Sequence, residues 1–578
     1  MERNANFNEK RKERILYSIF SIILLSIILF RLYNLKGIQH AYDESGYWTA
    51  AAYFLGFDWS DLTEFNLYYS YGYGMLLAVL MKILPFKYLY QGAIVINGIL
   101  LVVEFYLINY CIKKLCSDLK IEIRILMSFA IIVYPYNMFY AHLTVSEVFL
   151  VFLYILSIAV FIKMMESSNW ILRVCFAMII GFMYMVHQRC IGITLAAIMA
   201  IIVMTILKKE KTLNLIIFIC TLGVILILAE AIKNGYVNAW FNSNLQGASL
   251  NDYSGQASKV SKLFSVQGII SFIYSIIGKW FGICCSTIML VSLGVWGILK
   301  DTYVEIRKCK SKTVSRETYI KIYCLLCFFA CFGINCIFFI EPKKYADYLI
   351  YTRYTETAVL PIIFYGIYRL IIRNVSIREV IINIIILVFS VCVVINRAGI
   401  LGLTSYVGQG NIAIWDLYND GMNASTFMGS ALIRTLILFI FFFTMSIIKW
   451  KKEVILVIMS VFWLSVSVNA YQKDYNTRKT NDISNIAKII DNNTDKIKPL
   501  YYYIGQEKNA TVTAFYLQLM DADRKITILK SWKDVENIPN GSYILTNGVS
   551  DIALKEKNNY IILDKSWCYA LIEKNVKK

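Results

Sequence analysis

Residues 15 to 30, ILYSIFSIILLSIILF, contain no charged side chain, and apolar runs of this kind recur along most of the chain. A helix needs about 20 apolar residues to cross the hydrocarbon core of a bilayer. Only helices and closed barrels satisfy their backbone hydrogen bonds there. A barrel would show alternating segments of about 10 residues, and these runs are continuous. Charged residues make up 17% of the 578, against about 25% in a soluble domain. The 29 glycines and 6 prolines are too few for a fibrous or low-complexity chain. The chain reads as a polytopic α-helical membrane protein.

The net charge of +19 raises the question of nucleic acid. The Lys and Arg residues, however, sit in short runs between apolar segments, where they act as topology signals, so nucleic acid is excluded as a partner. The first run, 15–32, has no small-residue cleavage site after it and is not a cleavable signal. The basic tail 1–14 before it is expected in the cytoplasm. Apolar segments follow at 89–112, 124–140, 147–164, 170–186, 190–207, 213–232, 281–299, 318–340, 357–371, 379–396, 431–448 and 453–470. With the first, these make about thirteen spans. Each inward turn is basic, as in CIKKLC, KKEK and KWKK, which predicts a cytoplasmic N-terminus and an extracytoplasmic C-terminus. The expected outer loops are 33–88, 233–280 and 397–430. Within the first, SGYWTAAAYFLGF (45–57) and YGMLLAVLMKIL (73–84) are too short to span and suit helices lying in the interface.

Residues 15–470 thus form the membrane domain. From residue 471 the composition turns polar. The stretches YYYIG (501–505), KITIL (525–529), SYILTN (542–547) and NYIILD (559–564) predict strands, and TAFYLQLM (513–520) predicts a helix. Residues 471–578 read as a small extracytoplasmic α/β domain. The fourteen cysteines lie mostly in apolar runs. The CLLC of 324–327 has a redox or metal spacing but no nearby His, so these are read as small packing residues. A Lys-, Ile- and Asn-rich composition is compatible with a low-GC bacterium.

Candidate chemistry gathers at the outer ends of the spans. Asp43 and Glu44 follow the first. His142 and Glu147 follow the third, and His187 and Arg189 follow the fifth. Glu341, Lys343, Lys344, Asp347, Arg353, Tyr354 and Glu356 surround the ninth and tenth. Ionisable groups at the bilayer edge are costly unless they line a cavity. A lone acid after a span is ordinarily a solvated loop residue, and it is the common side of these groups that points to chemistry. All three histidines, His40, His142 and His187, fall on this face, which admits a divalent metal ion, although no ligand spacing supports one.

The order of these features resembles the membrane glycosyltransferases of the GT-C fold, which take their donor from a lipid carrier. Protein O-mannosyltransferases and the aminoarabinose transferases of lipid A belong to this group. The matching residues are the acidic pair of YDESGYW, the Tyr/Gly segment YYSYGYGMLL, the acid of TVSEVFLVFLY, the HQR near the fifth and sixth spans, and TRYTETAVLP. Family members often carry Pro in the Tyr/Gly segment, where this chain has Ser70 and Gly72. The resemblance implies an enzyme, a hexosyl- or pentosyl-transferase, moving a sugar from a polyprenyl-phosphate donor to a glycan, lipid or protein hydroxyl with inversion. It implies Asp43 as base, and Glu44 and Glu147 as positioning acids. It places Arg189, Arg353 and a lysine among Lys343 and Lys344 at the phosphate, with His187, Tyr354 and Glu356 beside them. The open alternatives are a transporter or lipid flippase, and a polysaccharide polymerase or ligase. A transporter would show repeated halves, which the sequence lacks.

Overall fold

The computed structural model describes residues 2–30, 32, 41–65, 67–207, 209–241, 256–308, 314–341, 345–373, 375–403, 410–419, 421–477, 486, 489–490, 492–505, 507, 510–547, 560–565 and 569–574. The expected apolar runs are helices. In chain order these are α1 (Glu2–Phe30), α2 (Ala41–Leu55), α3 (Gly72–Ile83), α4 (Leu89–Leu115), α5 (Ile121–Ile132), α6 (Pro135–Tyr140), α7 (Glu147–Glu166), α8 (Trp170–Val186), α9 (Ile191–Ile206) and α10 (Thr212–Trp240). After a short α11 (Gln256–Ser261) come α12 (Val266–Ser286), α13 (Leu290–Lys308), α14 (Arg316–Phe338), α15 (Asp347–Ile350), α16 (Arg353–Glu356) and α17 (Leu360–Tyr368). The membrane part closes with α18 (Ile377–Ile400), α19 (Ile412–Trp415), α20 (Ala424–Ile447) and α21 (Lys452–Thr477). Local chemistry sets several starts. The Asn169 side chain caps α8 through the Ile171 amide, 3.0 Å, and Ser376 and Glu379 form a capping box at α18.

Among the described residues, ten helices are long and apolar enough to cross a membrane, or eleven if the bent pair Asp347–Glu356 and Leu360–Arg373 is one crossing. The expectation was about thirteen, and the differences have local causes. The segment 124–140 is split, because Pro135 opens α6 and the residue before a proline is pushed out of helical geometry. The segment 170–186 does form α8, but its 17 residues span only about 26 Å at 1.5 Å per residue. The segment expected at 281–299 straddles a break, where Ile288 and Met289 take φ of 52° and 65°. The apolar helix there starts at Val266, inside what was expected to be an outer loop. Helix α2 is also not an interfacial helix, since residues 44–52 are all buried and it packs against α3. An interfacial helix would leave one face open.

The C-terminal elements are β1 (Leu500–Tyr503), α22 (Ala510–Met520), β2 (Ile526–Leu529), α23 (Trp532–Asn537), β3 (Tyr543–Asn547), β4 (Tyr560–Lys565) and β5 (Tyr569–Lys574). They form one sheet in the order β2-β1-β3-β5-β4. β1 runs parallel to β2 and to β3, and β5 is antiparallel to both β3 and β4. The four expected strands are present, and β5 is a fifth.

This domain seats on the loop between α2 and α3. Trp59 Nε1 donates to the Ala522 carbonyl at 2.8 Å. Lys525 pairs with Asp58 at 2.8 Å, and the Asp61 carboxylate accepts from the Ile528 amide at 3.2 Å. The hydrogen bond to Asp58 also raises the Lys525 pKa above its ordinary value.

The ion pairs Lys114–Glu166 (2.7 Å), Arg173–Glu210 (2.6 Å) and Arg369–Glu379 (2.9 Å) lie at one end of the helical body. The start of α7, the end of α8 and the start of α16 meet at the other end, and there the candidate site lies.

Candidate active site

Asp43 stands in the first turn of α2, where the helix dipole favours an anion. Its Oδ1 accepts from the Tyr69 hydroxyl at 2.9 Å and its Oδ2 accepts from Arg353 Nη1 at 2.8 Å. Gly46 makes the first contact feasible, because a Cβ there would lie 2.2 Å from the Tyr69 ring. Burial raises the Tyr69 pKa well above its usual value, and the Asp43 charge raises it further. Tyr69 therefore stays a hydroxyl donor.

Arg353 opens α16. Its backbone N–H donates to the Gly410 carbonyl at 3.2 Å. Its Nε donates to Glu147 Oε1 at 2.8 Å, and Nη2 lies 2.7 Å from the same oxygen. Arg189 Nη2 reaches that oxygen at 3.3 Å. Glu147, at the N-terminus of α7, is 0% exposed. One buried carboxylate thus holds two guanidiniums, one from the α8–α9 junction and one from α16. Aromatic faces support both cations. The Arg189 guanidinium carbon lies 4.9 Å from the Tyr354 ring centre and that of Arg353 lies 5.0 Å from Tyr140. Each Nη of a guanidinium carries two N–H groups, so Arg353 retains donors beyond its two carboxylates.

These groups border a cavity of about 320 Å³. Asp43, Tyr47, Tyr69, His187, Arg189, Arg353 and Tyr354 line it together with Phe338, Phe339, Tyr345, Asp347, Tyr348, Tyr351 and Gly410. His187 Nδ1 faces the Arg189 backbone N–H at 3.3 Å, which fixes the proton on Nε2. Burial first, then the charges of Arg189 and Arg353, hold the His187 pKa well below its ordinary value, so the ring is neutral.

Of the residues expected in the site, Asp43, His187, Arg189, Arg353 and Tyr354 line the cavity, and Glu147 stands directly behind it. Glu44 faces away. Its Oε1 accepts from the Tyr90 hydroxyl at 2.8 Å, the Thr144 amide at 2.7 Å and the Thr144 hydroxyl at 2.9 Å. That clamps α2 to the segment before α7. Glu356 is likewise buried below the cavity and accepts from the Thr352 hydroxyl. Lys343, Lys344 and His40 lie outside the described residues. Among the described residues no group of three His, Cys, Asp or Glu side chains could hold a metal ion. His142 is buried and turns Nδ1 to the Met138 carbonyl, 2.9 Å.

The aromatic wall was missed in the sequence. Its signal is the spacing of Tyr345, Tyr348, Tyr351 and Tyr354 at intervals of three. The departure at Ser70 and Gly72 also has a structural reason. Ser70 Oγ accepts from the Gln188 amide at 3.2 Å. A Cβ on Gly72 would lie 2.5 Å from the Val186 nitrogen. The Tyr/Gly segment is thus docked onto the turn that carries Arg189.

No protein-family model matches the sequence, and no curated protein matches it. The fold has solved counterparts. The crystal structure of ArnT from Cupriavidus metallidurans in the apo state is 11% identical, with a TM-score of 0.50 over 96% of this chain and 97% of that one. The crystal structure of the same ArnT bound to undecaprenyl phosphate is 12% identical, with a TM-score of 0.49 and the same coverage. The architecture expected from the sequence, a polytopic helical membrane body followed by a small sheet domain, is the architecture of this chain, and the apo ArnT structure shares its fold.

Proposed function

We propose that the protein is a membrane glycosyltransferase that moves a sugar from a polyprenyl phosphate to an acceptor hydroxyl. The observation that carries this reading is the pairing, in one cavity at one end of the helical body, of the Asp43 carboxylate with the Arg353 guanidinium, 2.8 Å apart. A lipid-linked donor keeps its chain in the bilayer, so its sugar is met at the membrane surface. The acceptor oxygen attacks the anomeric carbon and the bond from that carbon to the phosphate oxygen breaks. The acceptor proton passes to Asp43. The polyprenyl phosphate leaves with the bonding electrons, held by the planar donor forks of Arg353 and Arg189. A single displacement inverts the anomeric configuration.

The ion pair of Asp43 with Arg353 adds a device to this scheme. A phosphate that draws on the remaining N–H groups of Arg353 competes for its charge. Asp43 then becomes a better base when the donor is in place. Glu147 keeps the two guanidiniums together throughout. The site faces the extracytoplasmic side in this reading, with the N-terminus cytoplasmic.

The test is incubation of the purified protein with a panel of polyprenyl-phosphate hexoses and pentoses plus glycan, lipid and peptide acceptors. Release of free polyprenyl phosphate with matching appearance of glycosylated acceptor is expected from one combination. No release from any donor, by a protein shown to be folded, overturns the proposal.

A further inference from the structure

Toward the end opposite the candidate active site, α13 and α18 leave a cleft between them. α13 packs chiefly on α17, and α18 on α12 and α20. The cleft holds a second cavity, of about 130 Å³. Ser292 and Trp296 of α13 line it, with Glu379 and Asn383 of α18 and Trp280 of α12. Its mouth opens sideways, out of the helical body. Trp296 is 50% exposed, and Ile382 and Ile386, which also line the cavity, are 42% exposed. On a helix that crosses a bilayer such side chains face lipid, and Trp favours the level of the headgroups.

The floor of the cleft is polar. Ser292 Oγ donates to Asn383 Oδ1, and Asn383 Nδ2 donates to the Glu379 carbonyl at 2.7 Å. An amide nitrogen carries two N–H groups, so a second one remains. The rim is cationic. Lys300 Nζ donates to Glu379 Oε1 at 3.0 Å, and Arg369 Nη2 reaches the two carboxylate oxygens at 2.9 and 3.0 Å. Arg369 arrives from the end of α17 across α13, and Gly297 clears its way, because a Cβ there would lie 2.9 Å from Arg369 Cδ. One carboxylate neutralises one of the two cations. A lysine has three donors and an arginine five, and among the described residues neither donates to anything but Glu379. Lys300 is 54% exposed at its side chain. A basic pocket between helices at a membrane face suits an acidic lipid headgroup.

We propose that this cleft binds an anionic phospholipid. Its phosphate lies against Lys300 and Arg369, its ester carbonyl accepts from Asn383, and an acyl chain follows Ile382 and Ile386. With the N-terminus cytoplasmic, the lipid belongs to the inner leaflet. The site is separate from the cavity of Asp43 and Arg353 and does not depend on the transferase reading.

The experiment uses the full chain in phosphatidylcholine nanodiscs. Phosphatidylglycerol or phosphatidylcholine with brominated acyl chains is added at the same mole fraction. Bromine quenches nearby tryptophan fluorescence, and the difference between wild type and Trp296→Phe isolates the signal of Trp296. One lysine charge near a membrane surface is worth about fivefold in affinity. Phosphatidylglycerol should therefore be preferred at Trp296 by at least that factor. Lys300→Glu should abolish the preference, and Lys209→Glu, an exposed cation between α9 and α10, should leave it unchanged. Glu379→Gln removes the charge that competes with the phosphate, and Gln still serves the capping box, so the preference should rise. A merely structural role for these residues would lower Tm and leave the preference where it was. Glycerol 3-phosphate should not relieve the quenching, and full relief would make this a site for soluble phosphate. Equal quenching by the two lipids, or a preference that neither Lys300→Glu nor Glu379→Gln moves, overturns the proposal.

Discussion

Replacing Asp43 with Asn separates chemistry from structure. The side chains are nearly isosteric, so the carboxamide oxygen can still accept from Tyr69. The carboxamide nitrogen, however, now faces Arg353 Nη1, which met a carboxylate oxygen at 2.8 Å, and two donors oppose each other. The lost charge-assisted bond is worth about 1.5–3 kcal/mol. Both partners are partly exposed, with side-chain exposures of 28% and 19%, so the lower end of that range applies. A domain typically holds about 5–15 kcal/mol of stability, so the variant should fold. An amide cannot take a proton from the acceptor. Loss of a general base costs roughly 10²–10⁴-fold in rate, or about 2.7–5.4 kcal/mol in barrier at 1.36 kcal/mol per tenfold. The assay is sugar transfer by wild type and variant in the same nanodisc preparation, alongside donor binding. Donor affinity should hold or rise, because the competing carboxylate charge is gone. A solvated loop acid would change stability by about 0.5 kcal/mol or less and leave the rate alone. Transfer within fivefold of wild type would refute Asp43 as the base.

Arg353→Lys keeps the charge but loses the fork that serves Asp43 and Glu147 together. Donor affinity should fall at least tenfold in a binding titration, and unchanged affinity would remove Arg353 from the phosphate site. Glu44→Gln strips the charge from a carboxylate that accepts three bonds away from the cavity, so Tm should fall by several degrees while donor KM stays within threefold. A selective loss of donor binding would place Glu44 in the site. Truncation after residue 477 removes the anchors of Trp59, Asp58 and Asp61, so transfer should drop at least tenfold while donor binding persists. A well-folded truncation that binds no donor would show that the site needs the sheet domain. For topology, a maleimide probe at Asp523→Cys should react in intact cells and one at Ser168→Cys only after permeabilisation, and the reverse pattern would invert the proposed orientation.

The acids and arginines were legible in the sequence because their position relative to the apolar runs is itself a physical constraint. Asp43, Glu147, Arg189 and Arg353 each stand where a helix meets one membrane face, and the structure brings them within hydrogen-bond reach. The resemblance names Asp43 rather than Glu44 as the base, but helix geometry alone does not separate the two. Adjacent residues on a helix point about 100° apart, which says that they differ but not which one faces the cavity. The Tyr90 and Thr144 contacts to Glu44 decide it, and they are set by tertiary packing. The ten or eleven long apolar helices among the described residues differ from the expected thirteen spans for a related reason. Hydropathy registers apolar content, whereas the breaks at Pro135 and at Ile288–Met289 depend on backbone geometry. The aromatic wall was hidden by ambiguity, since tyrosines at intervals of three also fit one face of a packed helix.

The placement of Glu147 explains why the site is built from segments so far apart in the chain. Two guanidiniums brought together without an anion would repel one another in a low-dielectric site. A single fully buried carboxylate at the head of α7 offsets that repulsion and fixes both forks by hydrogen bonds. Removing it would leave the buried Arg189 without its counter-ion and Arg353 with Asp43 alone, and breaking a buried pair in this way costs about 3–5 kcal/mol. Glu147 is therefore the residue that makes an anion site out of α16 and the α8–α9 turn. Asp43, reaching Arg353 from the opposite side on α2, completes a chain from base to phosphate ligand to its buried counter-ion. Because α2 is tied at Glu44 to the segment before α7 and its following loop at Trp59 to the sheet domain, the position of the base is set by the same elements that set the phosphate site. A shift of either would be felt at the reacting carbon, where about 1 Å of misplacement costs on the order of 10²-fold in rate.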